Sequence, residues 1–467
     1  MKLSPTSESV DPAWAWEPYE PSKSRPWTAE LAAHLYRRAA FGASWRELQA
    51  AVAAGPKGSL ELLLNGTGKT EVAATGDFYT AARSTIAALL GLGGDDDLPA
   101  WWLYLMIHSP RPALEKLTLF WHGHFATSAA KVTDASLMLA QNELLRKHAF
   151  GEFRTLLRGM TRDTAMLLWL DSATNRKNRP NENFAREVME LFALGVGNYT
   201  ERDIKEAARC FTGWEVHNNR FWVNAAQHDG GEKSVLGARG KFDGDGLIDV
   251  LLRQPAAAKF LVRKLFRFYV ADELEGGAAG DALLKPLVDD FRKHDYDVGR
   301  LLRTMLASNY FFSPQALRRK IKSPVEFAVG LVRALEGHTD HYALTADLTS
   351  LGQRVFYPPN VKGWNGGREW INAHSVLSRI NLAGALVAAD GRYAGKFGLA
   401  KSPAIQGISD DAALVRRLIE LLLTTEPKPT IVDGLTAAAQ RRDKEDDTAR
   451  LARTVQVIAS LPEFQLC

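Results

Sequence analysis

Cysteine is nearly absent from this chain of 467 residues: it has two, Cys210 and Cys467. That excludes a disulfide framework and a thiolate metal cluster, so any metal must be held by histidine, carboxylate or amide groups. Long apolar runs are missing too. Polar stretches such as "LDSATNRKNRPNENF" interrupt every candidate, and no membrane span is expected. The first residues lack the apolar core of a secretory signal, so the chain as given reads as cytoplasmic, or as extracytoplasmic if a leader has been removed. A strong charge of either sign is also lacking. Lys plus Arg number 58 against 54 Asp plus Glu, a field too weak for a dedicated nucleic-acid binder.

What is present is apolar text with helical spacing. A hydrophobic fraction of 46% is enough to fill one large core or two to three smaller ones. Residues 1–27, rich in proline and polar side chains, read as an extended tail. From Thr28 the pattern is helical. "SWRE", Ser44 to Glu47, reads as a capping box, "TERD", Thr200 to Asp203, as a weaker cap, and the aspartates of "FDGDGLIDV" as a helix cap rather than a calcium loop, since Gln254 stands where a bidentate glutamate would be needed. "RFWVNAAQHDGGEKSVLG" breaks the helical pattern and predicts a hairpin near 220–240, turning at His228 to Gly231. "AAAQRRDKEDDTARLAR" reads as a solvated helix face. The fold expected is therefore mainly α, a multi-helical single large domain over 28–467 with a small β-hairpin insertion.

Two segments concentrate groups that can do chemistry. In "FWHGHF" the residues Leu114, Leu117, Trp121 and Phe125 recur at helical spacing. A regular helix at roughly 100° per residue then sets His122 and His124 about 200° apart, so they can share one ion only if the helix ends at Gly123. The plainer account makes them core-margin histidines bonded to neighbouring backbone. In "LDSATNRKNRPNENFAREVMELFALGVG", a basic loop with Arg179 leads to Asn181 at a helix cap, and Asn183, Glu187 and Glu190 share a strip beside an apolar face. Carboxylates at a core margin must be paired, protonated or metal-bound. Arg179, Asn181 and Arg186 at this helix start suit an anionic substrate group. His228 with Asp229, followed by Lys233, offers an acid–base pair, and Trp364 in "FYPPNVKGWNGGREWIN" an apolar platform or a core anchor.

The stretches "LTLFWHGHFATS", "NRKNRPNENFAREVMELFALGVGNYTERDIKEAARCFTGW", "HDGGEKSVLG", "IKSPVEF" and "PPNVKGWNGGREWIN" resemble, in the same order, the motifs of a large bacterial family catalogued as domain of unknown function eighteen hundred. The resemblance runs from "LYRRAAFG" to "LPEFQ" and brings no activity with it. Members of that family commonly carry export signals and lie beside genes for sulfatase-like proteins, which implies extracytoplasmic work on polymers and a sulfatase-like partner. The reading from the residues is an enzyme of hydrolase type that depends on a divalent metal of unspecified identity, and with the polymer work that the resemblance implies its substrate is expected to be polar or polymeric. Its metal ligands would be His122, His124, Glu187 and Glu190, with Glu187, His228 and Asp229 as acid–base groups. The alternative is a non-catalytic binding or assembly protein whose polar motifs form a buried structural network.

Overall fold

The computed structural model describes residues 10–65, 69–274, 276–388, 391–393, 396–423 and 427–467. The chain is mainly α, and among the described residues it is 61% helical, with 21 α-helices and two small two-stranded sheets. Its helices begin where the sequence supplies side-chain acceptors for otherwise unsatisfied backbone N–H groups. Ser44 Oγ accepts from Glu47 N–H at 3.2 Å while Glu47 Oε2 accepts from Ser44 N–H at 2.7 Å. Thr200 and Asp203 make the same reciprocal pair, Asn181 accepts from Asn183 N–H, and Asp243 accepts from Gly246 N–H. The last of these confirms the cap reading of "FDGDG".

The structure differs from the sequence reading in three places. Residues 12–27 are not a free tail. Pro12–Trp16 is a short helix capped by Asp11, and Trp16 Nε1 donates to Leu283 O at 2.6 Å. Buried tryptophan and tyrosine supply the apolar area that the polar composition of this stretch concealed: Trp16 and Tyr19 are 7% and 4% exposed. Residues 1–9 lie outside the described residues.

The expected hairpin is two hairpins. Strands β1 (Trp214–His217) and β2 (Arg220–Val223) pair antiparallel around Asn218 and Asn219, both with positive φ (49° and 57°). Strands β3 (Lys233–Val235) and β4 (Ala238–Gly240) pair around Leu236 and Gly237, with φ of 50° and 80°. Two consecutive left-handed residues match the twist of a two-residue hairpin, so each turn forms locally, and the His228–Gly231 segment links the hairpins instead of turning one of them.

The charged C-terminal run is not one helix either. One helix ends at Ala439, and the next, Asp447–Ala459, starts where Asp446 accepts from Ala449 N–H at 2.7 Å.

The core joins these helices without a break, and its largest fully buried side chains include Trp102, Trp121, Phe125, Phe153, Phe184 and Phe192. Charge is buried in it as well. Lys116 and Glu326, 0% and 5% exposed, form an ion pair, and Lys320 adds a second cation near the same carboxylate. No helix among the described residues is long and apolar enough to cross a membrane.

Candidate functional site

The helix Pro112–His124 ends at the second histidine of "FWHGHF", so the two histidines sit on its last turn. They face different neighbours. His122 Nε2 accepts from Phe356 N–H at 3.0 Å, which fixes that nitrogen as the unprotonated one, and its ring lies against Trp102, Phe356 and Trp364, the last at 5.8 Å. Burial holds its pKa down at about 3. His122 is thus an anchor for the loop carrying "FYPPNVKGW", and Trp364 is part of that anchorage. The same loop touches the helix a second time. Gly363, at φ 77°, lies so close to Gly123 that a Cβ there would stand 2.4 Å from Gly123 O. The glycine at 363 is explained by this contact, since a side chain there would push the loop off the histidine turn.

His124 points toward the "NENFAREVMEL" segment. Its Nε2 lies 3.1 Å from Phe192 O. A carbonyl only accepts, so Nε2 carries the proton and Nδ1 is left as a bare acceptor. That Nδ1 is buried and has no hydrogen-bond partner. Burial first, and then the Lys264 charge, hold the ring well below its ordinary pKa, so it is neutral.

The chain around Phe192 is irregular. After Glu182–Glu187 in α form, residues Val188–Leu194 wind as a π-helix and stop at Gly195, whose φ is 83°. The sequence pattern predicts one regular helix here; the wider turn shifts Glu190 and Leu191 relative to that expectation. A π-turn of this kind is often kept at functional sites because it costs stability. Gly195 is required at its end, where a Cβ would meet the Phe260 ring at 3.0 Å.

Between the histidine turn, the π-helix, the helix Pro255–Tyr269 and the "VKGW" loop lies a cavity of about 230 Å³. His124, Glu190, Lys264, Phe260 and Lys362 line it, together with small and apolar groups that include Gly195 and Val361. Its charges are unusually free. Lys264 has no carboxylate partner among the described residues; its Nζ stands 5.1 Å from the Phe260 ring centroid, and burial lowers its pKa to about 8. Glu190 accepts a hydrogen bond from the Tyr199 hydroxyl. Glu187, half-buried and without a hydrogen bond or ion pair among the described residues, has its pKa raised by burial and by Glu190, against a smaller pull from Lys362. Two larger concavities, of about 580 and 330 Å³, lie elsewhere. In the larger, Arg303 is bound to Glu61 and Asn65, and Arg300 to Asp290, so their charges are already spent.

The remaining residues singled out from the sequence are placed apart from this cavity's lining. Asp229 is held by Arg209 through contacts of 2.7 and 3.2 Å and by Gly231 N–H at 2.9 Å, and these bonds keep its pKa low, at about 2. His228 Nδ1 lies 2.9 Å from Thr212 O. Each is committed to its own partner, and His228 and Asp229 do not bond to each other. Lys233, 1% exposed, donates to Asp229 O at 2.5 Å and Gly231 O at 3.3 Å. Arg186 forks onto Glu201 at 2.8 and 2.7 Å, and Asn181 caps its helix while its amide donates to Asp171 O at 2.8 Å. Arg179 is exposed, with no side-chain partner among the described residues. Among the described residues, no three His, Cys, Asp or Glu side chains are grouped so that they could hold a metal ion. His122, whose Nε2 is taken by Phe356, stands apart from the other three residues read as ligands.

Lys264 and Lys362 are the charged cavity residues that the sequence reading did not single out. Lys264 did leave a signal. Seven positions after buried Ala257, it falls roughly 20° from it around the helix, a lone cation inside an apolar stripe.

Fold and site together define a helical protein in which the histidine turn, the π-helix and the "VKGW" loop border one cavity that carries unpaired charge. The chain belongs to the family described as Protein of unknown function (DUF1800), whose model matches residues 34–466. No curated protein and no solved structure matches it.

Proposed function

We propose that this cavity is the active site of a hydrolase-type enzyme that acts on a polar or polymeric substrate. The observation that supports the reading is the gathering of unpaired groups of complementary kinds. Glu187 and Glu190 lie within each other's field, two amines from separate elements border the same space, and the His124 ring, with one nitrogen unpartnered, lies within the field of Lys264. A carboxylate whose pKa is raised toward neutrality is suited to take a proton from water. Lys264 and Lys362, when protonated, would offset the negative charge that develops on the attacked group. At about 230 Å³ the space is smaller than the roughly 300–1,000 Å³ of ordinary ligand pockets. It suits one unit or the end of a longer chain. A divalent ion in this reading would be held by His124, Glu187 and Glu190 after they close together, without His122.

One observation favours the second reading, a non-catalytic binding or assembly protein: the polar groups of the "HDGGEK" motif are satisfied within the fold. The two are separated by assaying purified protein, with and without added divalent metals, against chromogenic esters, phosphoesters and glycosides and against polysaccharides. Turnover that falls by about 100-fold or more in Glu187→Gln, with melting unchanged, is the expected result. Turnover indifferent to both Glu187→Gln and Glu190→Gln would move the active site elsewhere. No turnover in any class would leave the binding reading as the better one.

A further inference from the structure

The helix Pro255–Tyr269 buries Ala257, Ala258, Leu261, Val262, Leu265, Phe266 and Tyr269 on one side, and Lys264 is the amine that shares this side's margin. Of the other buried lysines, Lys116 is engaged by Glu326, Lys320 by Asp272 and Lys233 by two backbone carbonyls, while Lys322 rests on the Phe464 ring at 3.7 Å, away from this cavity. Lys264 has none of these. Its surroundings are the Phe260 ring, the neutral His124 ring and the cavity itself, which Lys362 also lines.

An unpaired amine opening onto a partly apolar cavity is the setting in which lysine acts as a nucleophile toward carbonyl carbon. We propose that Lys264 is a carbonyl-reactive residue that forms a reversible imine with a small aldehyde or ketone carrying an anionic group, which Lys362 attracts. The Lys264 nitrogen lone pair bonds to the carbonyl carbon, and the C=O π pair passes to oxygen. The proton released by nitrogen goes to that oxygen. Loss of the second N–H proton with the hydroxyl then expels water and leaves C=N, with no net consumption of protons and no redox change. Tyr199 holds Glu190 in its orientation.

This inference shares the cavity with the hydrolytic reading but not its chemistry, and its test needs no turnover. The folded protein is treated briefly at pH 8 with glyoxylate and cyanoborohydride, which reduces any imine to a stable secondary amine, and the modified lysines are quantified by peptide mass spectrometry. Lys264 should be labelled about tenfold or more faster than exposed Lys285, which is paired with Asp289, because its amine has no carboxylate partner among the described residues and shares its cavity with Lys362, which would hold the glyoxylate carboxylate beside it. Its labelling should level off as the glyoxylate concentration rises, whereas that of Lys285 keeps rising in proportion. Acetaldehyde, which lacks the carboxylate, should lose part of the preference, and Lys362→Met should lose it for glyoxylate. Labelling of Lys264 no faster than that of Lys285 overturns the proposal, and so does labelling that rises without levelling. Both readouts are made on the unaltered chain, so no variant's folding stands in the way.

Discussion

The cavity at the histidine turn and the face built by the two hairpins both carry long polar motifs, yet they treat charge in opposite ways. Beside the hairpins, Arg209 is shared by Glu206 and Asp229, Lys233 is covered by carbonyls, and Glu206 also accepts from Ser234 N–H at 2.9 Å. At the cavity, Lys264 and Lys362 have no ion-pair partner among the described residues, nor has Glu187 beside it, and Glu187 and Glu190 repel each other. Density of polar residues in a motif therefore does not separate structural from functional use. The state of each charge does: a satisfied network rigidifies the fold, whereas unpaired charge next to a cavity costs stability and is kept for something other than folding.

The paired end of this contrast gives the largest expected effect. Lys116→Met leaves Glu326 buried beside Lys320 without its main partner. Breaking such a pair should cost about 3–5 kcal/mol in denaturant titrations. A cost below about 1 kcal/mol would mean that the interior pairs add little and that the contrast with the cavity is weaker than drawn. The hairpin face should respond next. Asp229→Asn removes a forked contact with Arg209, with an expected loss of about 1–3 kcal/mol. Because the Asp229 pKa is depressed from 3.8 to about 2, its contribution is complete above the unfolded value and lost as pH falls through the folded one. Stability of the parent protein should drop between about pH 4 and pH 2, and the variant should drop less steeply.

Much of the fold was legible because its signals are local. Caps at Ser44, Asn181, Thr200 and Asp243 were read from residues three or four positions apart, and the helical spacing around Trp121 placed the histidine turn. Other features depend on contacts far apart in sequence. The π-helix at Val188–Leu194 leaves no mark in a 3.6-residue pattern. That Asp229 pairs with Arg209 rather than orienting His228 depends on how a linker between two hairpins packs against a helix. Trp16 docks through Leu283, Phe266 and Tyr310, all hundreds of residues away. The doubled hairpin is a different case: its Asn-Asn and Leu-Gly turns are local, but they were passed over for the more obvious glycines at 230 and 231.

The smallest stability effect is expected at Glu187, and it sharpens the comparison most. Since the Glu187 pKa is raised from 4.5 by burial and by Glu190, the folded chain holds its proton to higher pH than the unfolded chain. Stability conferred by the protonated form is then lost as pH rises from the unfolded value through the folded one, the reverse of Asp229. Glu187→Gln removes that charge without changing the side chain's size. It should leave melting at neutral pH unchanged or raise it by the equivalent of less than about 1 kcal/mol, and it should flatten the melting profile on the rising side of pH 4.5. A structural carboxylate would behave otherwise: losing its partner's compensation would cost on the order of 3 kcal/mol or more. Thermal melts of the parent and variant across pH 4 to 8 decide between these outcomes. A large destabilisation would place Glu187 with Asp229 among the residues that hold the fold. A flat or improved melt would mean that the molecule carries this charge at a cost to its own stability, as expected of a group that works at the cavity.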